Sequence, residues 1–140
     1  MERGKFSNKR KQLAPPEAKI AAGMWELPPG KRSFPMHKHN VTEEAIFVVS
    51  GRAKVRTPEG ETAIGPGDYV SFLAGGLAHQ LENDGTEPLI YVALSTNPAG
   101  ADVVEYPDSG KIACAVGAPP TGRRFMFRAK DQADYFEGEE

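Results

Sequence analysis

Polar and apolar positions alternate with a period of two over short stretches of this chain. Arg52, Lys54 and Arg56 alternate with Ala53, Val55 and Thr57. Successive side chains of a strand face opposite ways, so this segment predicts a strand with one wet and one buried face. Ile46-Phe47-Val48-Val49 is instead apolar on both faces. Such a strand is expected to be covered on both sides, by a second sheet or by a partner subunit. Turn signals punctuate the chain at Pro28-Pro29-Gly30, Ser50-Gly51, Pro58-Glu59-Gly60, Gly65-Pro66-Gly67-Asp68, Gly75-Gly76 and Asn83-Asp84-Gly85. Between them the pattern predicts strands over 21–27, 44–50, 53–57, 61–64, 69–73, 79–82 and 89–95. Short strands at this spacing predict an all-β sandwich or barrel. The one helical candidate is a weak pattern over 129–136.

Composition narrows the class. With 140 residues the chain is expected to form a single domain, its barrel core over 20–96, flanked by a basic arm over 1–19 and an extension over 97–140. Gly 15 and Pro 12, without collagen periodicity, agree with many turns. A net charge of −2 argues against binding nucleic acid by bulk electrostatics. No apolar run is long enough for a transmembrane helix, and no apolar stretch follows the basic N-terminus as in a secretory signal. The single cysteine, Cys114, makes neither an internal disulfide nor a thiolate zinc site. The expectation is a cytoplasmic protein without a nucleic-acid or membrane partner.

The ends carry opposite charge. Arg3, Lys5, Lys9, Arg10 and Lys11 lie near the start, and Asp131, Asp134, Glu137, Glu139 and Glu140 near the end. They are expected to be solvated, with pairing across subunits as the alternative. Phe125 and Phe127, among Arg123, Arg124 and Arg128, fit an edge strand or arm with one buried face. A subunit contact accounts for this run better than RNA binding. Together with the doubly apolar strand, these features predict a homodimer.

Two of the three histidines are His37 and His39, separated by Lys38. On a strand their side chains share a face, so both imidazoles can reach one ion. Glu43 and Glu44 follow after a short turn-like segment, and His79 lies in a later strand-like context. Strand parity leaves the choice of carboxylate open, because Glu43 falls in an apolar row with Phe47 and Val49, and Glu44 in one with Ile46 and Val48.

These residues resemble the cupin superfamily. Its first motif matches Gly30, His37-Lys38-His39, Glu44 and Gly51; its second matches Gly67, Leu73-Ala74-Gly75, His79 and Asn83. One additional residue separates Gly30 from His37, Leu73 stands where the motif has proline, and the gap from Gly75 to His79 is one residue longer. The segment 97–113, with Tyr106-Pro107-Asp108-Ser109-Gly110-Lys111, and the ending 134–139 are similar to a subgroup of small bacterial cupins of the conserved-barrel type without assigned activity.

The resemblance implies a jelly-roll barrel, or double-stranded β-helix, with His37, His39, Glu44 and His79 as ligands of one divalent transition metal ion. The spacing to Gly51 favours Glu44 over Glu43. Imidazoles and a carboxylate suit Fe, Mn, Ni, Zn or Cu alike. An ion with open positions can polarise a hydroxy-carbonyl substrate or take up dioxygen. The expected function is therefore a metal-dependent isomerase, dioxygenase or lyase acting on a small oxygenated metabolite. The alternative is a non-catalytic sensor or accessory barrel that binds a small molecule or metal.

A base outside the metal shell is sought among Tyr69, Tyr91, Glu26 and Glu82. Trp25, Met36, Phe47, Phe72, Ile90 and Val92 are the expected pocket walls. An apolar pocket with few charges would favour a weakly charged ligand over a phosphosugar. Arg32 is the candidate for an anion contact at the mouth, with a solvated turn residue as the alternative. Gln80, adjacent to His79, is expected at the surface or an interface.

Overall fold

A computed structural model describes residues 1–96, 100–117 and 121–139. The strands, in chain order, are β1 (Glu2–Arg3), β2 (Phe6–Ser7), β3 (Lys9–Gln12), β4 (Ile20–Leu27), β5 (Lys38–His39), β6 (Glu44–Ser50) and β7 (Ala53–Thr57). There follow β8 (Gly60–Ile64), β9 (Tyr69–Phe72), β10 (Gln80–Glu82), β11 (Leu89–Thr96), β12 (Ala101–Tyr106), β13 (Lys111–Val116) and β14 (Arg123–Arg128). No helix among the described residues is long and apolar enough to cross a membrane.

A five-stranded sheet runs β3-β4-β11-β6-β9 and a four-stranded sheet runs β14-β13-β12-β5. A smaller sheet, β10-β7-β8, and the hairpin β1-β2 complete the barrel. The alternation read from the sequence sets the core. Ile46 and Val48 of β6, Ala53 and Val55 of β7, and Leu89 and Tyr91 of β11 pack with Leu27, Ile64 and Leu81 in one apolar cluster. The expectation for β7 holds, since Ala53 and Val55 are buried beside half-buried Lys54 and Arg56.

Within the chain, among the described residues, no second sheet covers the outer face of the doubly apolar strand, where Phe47 is 43% and Val49 45% exposed. Three expectations are corrected. Residues 129–136 contain only a 3-10 turn, Ala129–Asp131, with no side-chain cap and no buried residue. A segment this short, without an apolar face to pack, does not offset the cost of helix nucleation.

The basic start is not a free arm. Its β3 pairs with β4 in the register Lys9↔Glu26 to Gln12↔Gly23, and Lys9 meets Glu26 at 3.4 Å. The segment after the barrel core is a second wall of the molecule. Its β12 pairs with β5, Val104 opposite His39. Residues 97–99 of that segment, and Glu140 of the acidic end, lie outside the described residues.

Candidate metal centre

Local strand geometry brings the histidines together. His37 and His79 form an antiparallel bridge, with N–H donated each way at 3.2 and 2.9 Å. His79 thus precedes β10 rather than opening it. His39, two residues beyond His37, shares its face; the Gly75 N–H donates to its carbonyl at 2.8 Å, tying the second motif to the first. Glu44 opens β6 opposite Phe72 of β9. Phe72 stacks on the His79 ring, with centroids 3.7 Å apart and planes 8° from parallel.

The donor atoms of His37, His39 and Glu44 lie within 4.8 Å of one another. His79 joins this trio through Glu44, its Nε2 lying 3.0 Å from Oε2. His37 Nε2 is 3.6 Å from Oε2, and His39 Nε2 3.1 Å from Oε1. Glu43 is exposed, and its backbone N–H bonds to Thr96 Oγ1 at 3.0 Å. The fold therefore brings Glu44, not Glu43, to the imidazoles.

The far nitrogens decide the character of the cluster. His39 Nδ1 donates to Asp102 Oδ2 at 2.6 Å, and His37 Nδ1 to the Pro35 carbonyl at 2.9 Å. His79 Nδ1 faces the Leu77 carbonyl at 3.5 Å. Each of these partners can only accept, so Nδ1 carries the proton in the neutral ring. Each Nε2 then presents a lone pair to a carboxylate, an arrangement that calls for a cation between them. The donor set fits a divalent metal on these chemical grounds.

Burial pushes the Glu44 carboxyl up, but hydrogen bonds from the His37, His39 and His79 rings in their protonated form outweigh it and hold the group ionised; a bound cation would take the place of those protons. Burial pulls His39 down, and Glu44 and Asp102 more than reverse it. Asp102 is raised by burial and lowered further by bonds from His39, Thr42 and the Val41 N–H, for a net fall.

The cluster sits in a cavity of about 620 Å³ between the two larger sheets. Trp25 and Phe72 line it as expected, whereas Met36, Phe47, Ile90 and Val92 do not. Met36 is buried elsewhere, and Phe47 with its cross-strand neighbours faces outward. Tyr91 lines the cavity and is buried; burial and the Glu44 charge push its phenol up, so it keeps its proton and is a donor rather than a base.

The other base candidates lie away from the cavity. Tyr69 is 60% exposed on the outer face, opposite Phe47. Glu82 is held by Arg32 at 2.8 Å and Lys54 at 3.8 Å, which also removes Arg32 from the mouth. Glu26 pairs with Lys9. Gln80 is buried rather than superficial, donating to the Phe34 carbonyl and accepting from Arg56 at 2.8 Å.

Sequence reasoning missed Asp102, Tyr106, Lys111, Arg124 and Arg10, which all line the cavity. The available signal was the period-two row Asp102, Val104, Tyr106, which predicts a strand with a polar end. Nothing local tied that row to the histidines. The expectation of a weakly charged pocket is corrected by the three cations, all supplied from outside the predicted barrel core.

Comparison with known proteins places the fold. The structure is similar to that of a candidate sugar phosphate isomerase from Acidithiobacillus ferrooxidans, with a TM-score of 0.75 and 26% identity over 89% of this chain and 80% of that one. A sugar phosphate isomerase of the cupin superfamily from Silicibacter pomeroyi is similar at TM-score 0.76 and 21% identity, over 91% of this chain and 82% of that one, a likeness of fold. A predicted oxalate decarboxylase from Thermotoga maritima follows at TM-score 0.59 and 25% identity, over 64% and 79%. No functionally curated protein matches the chain. The cupin domain family model matches residues 23–95, the stretch that carries all four converging side chains, and the chain belongs to that family.

Proposed function

We propose that this chain is a metal-dependent isomerase of a small hydroxy-carbonyl compound of the sugar phosphate class. His37, His39, Glu44 and His79 hold one divalent transition metal ion. The observation that carries the reading is the meeting of three imidazole Nε2 atoms on the Glu44 carboxylate, at 3.0, 3.1 and 3.6 Å. The likeness to the Acidithiobacillus protein over most of both chains supports the substrate class.

Bound there, the metal acts as a Lewis acid toward adjacent hydroxyl and carbonyl oxygens. The chain's own residues hold and orient. Asp102 fixes the His39 ring, and stacking on Phe72 fixes that of His79. Tyr91 keeps its proton and lines the cavity, so its hydroxyl is available to a ligand as a donor. Isomerisation moves one proton between neighbouring carbons and one between their oxygens, and needs no outside oxidant or reductant.

The exposed row of Phe47, Val49 and Tyr69 on the outer face of the five-stranded sheet supports a homodimer closed through that face.

The test is elemental analysis of protein purified without chelators or a nickel column, beside His37→Ala and His79→Ala, followed by NMR of sugar phosphates in deuterated water. One equivalent of metal in the wild type, lost in both folded variants, with deuterium exchanged into the substrate, supports the reading. Metal without exchange on any hydroxy-carbonyl substrate leaves a binding barrel and sinks the isomerase.

A further inference from the structure

We infer that the cavity mouth is a phosphate subsite built from Arg124 and Lys111 on one wall and Arg10 on the other, so that a ligand chelated at the histidines carries a terminal phosphate monoester. The inference rests on the isomerase reading and specifies its substrate.

Arg10, Lys111 and Arg124 line the same cavity as the histidine cluster. Among the described residues none of the three forms an ion pair, whereas Lys9, Lys31, Arg32, Lys38, Lys54 and Arg56 each do. The acidic residues lining the cavity, Glu44 and Asp102, are both engaged by histidines. Among the described residues the three cations thus have no carboxylate partner of their own, which leaves their charge to a dianion.

Each cation is held in place by an aromatic ring or its hydroxyl. The Arg10 guanidinium lies over Trp25, 5.3 Å from the ring centroid. Lys111 Nζ lies 5.7 Å from the Tyr106 centroid, and Arg124 Nη2 donates to Tyr106 Oη. Accepting that bond leaves the Tyr106 proton free to donate to a ligand oxygen. The Tyr106 ring is also 6.0 Å from that of His37, so this one side chain spans from the cluster to the cations.

Asp102, the partner of His39, stands opposite Ala115, and Ala115 opposite Arg124. The Asp102 and Arg124 backbones are thus two strand spacings, about 10 Å, apart, and the Tyr106 side chain reaches from the His37 ring to the Arg124 guanidinium between them. All three cations lie outside residues 23–95, so the flanking strands, not the family core, set this preference.

The test is calorimetry on full-length, manganese-loaded protein with erythronate, erythronate bearing a terminal phosphate, and inorganic phosphate. The phosphorylated acid is expected to bind at least about tenfold more tightly than erythronate. Arg124→Gln with Lys111→Gln should abolish that advantage and leave erythronate affinity unchanged, and Arg124→Lys should restore part of it. Inorganic phosphate should bind metal-free wild type and lose affinity in the double variant, folding being checked by circular dichroism. Equal affinity for the two acids, or equal loss of both in the variant, overturns the subsite. Erythronate binding that survives chelation instead sinks the metal reading, while a retained phosphate preference keeps the subsite.

Discussion

Asp102 shows what one side chain can do from outside the proposed metal shell. Its Oδ2 holds His39 Nδ1 at 2.6 Å, and its Oδ1 accepts the Val41 N–H at 2.9 Å. It therefore sets both the ring orientation and the backbone that leads into Glu44. Asp102→Ala is expected to keep the fold and weaken metal affinity about 10–100-fold, read by competition with a chromophoric chelator. Unchanged affinity in a folded variant would make Asp102 a purely structural residue. Glu44→Gln keeps the size of the side chain but removes the charge that three imidazoles face. Its metal content should fall below one half equivalent by elemental analysis, and full occupancy would show that the histidines alone suffice. The H-x-H spacing of His37 and His39 was legible because strand parity is local. Asp102 was not, because its pairing with His39 spans 63 residues.

The strands that carry the ligands depend on tight turns. Gly51 joins β6 to β7 with φ +83°, and a Cβ there would meet the Pro88 carbonyl oxygen at 2.2 Å. Backbone strain and a clash with main chain act together, so Gly51→Ala should cost about 3 kcal/mol, measured by urea unfolding. A loss below about 1 kcal/mol would mean that the turn relaxes at little cost. Asn83 plays the corresponding part after β10, donating to the Leu27 and Glu87 carbonyls at 2.9 and 2.8 Å while fully buried. Most strand positions between 20 and 96 could be read from alternation and these turn residues. The flanking strands could not. Lys9, Arg10 and Lys11 are basic and exposed, so their pattern suggests a solvated arm, and pairing with β4 overrides it.

At the scale of the molecule, the outer face of the five-stranded sheet remains apolar, and the proposed dimer would cover it. Sedimentation at micromolar concentration should give a dimer, and Phe47→Glu with Val49→Lys should give a folded monomer; a monomeric wild type would refute the interface. The sequence by itself determined the all-β class, the core rows Ile46/Val48 and Ala53/Val55, and the identity of three histidines and a glutamate as candidate ligands. Those follow from strand period, turn chemistry and motif spacing, all of which act over a few residues. Tertiary structure alone decided that Asp102 supports His39, that Tyr69 and Glu82 lie away from the cavity, and that Arg10, Lys111 and Arg124 line it. These outcomes depend on which sheet closes over which, and cross-strand register between distant segments is not written in the pattern of any one of them.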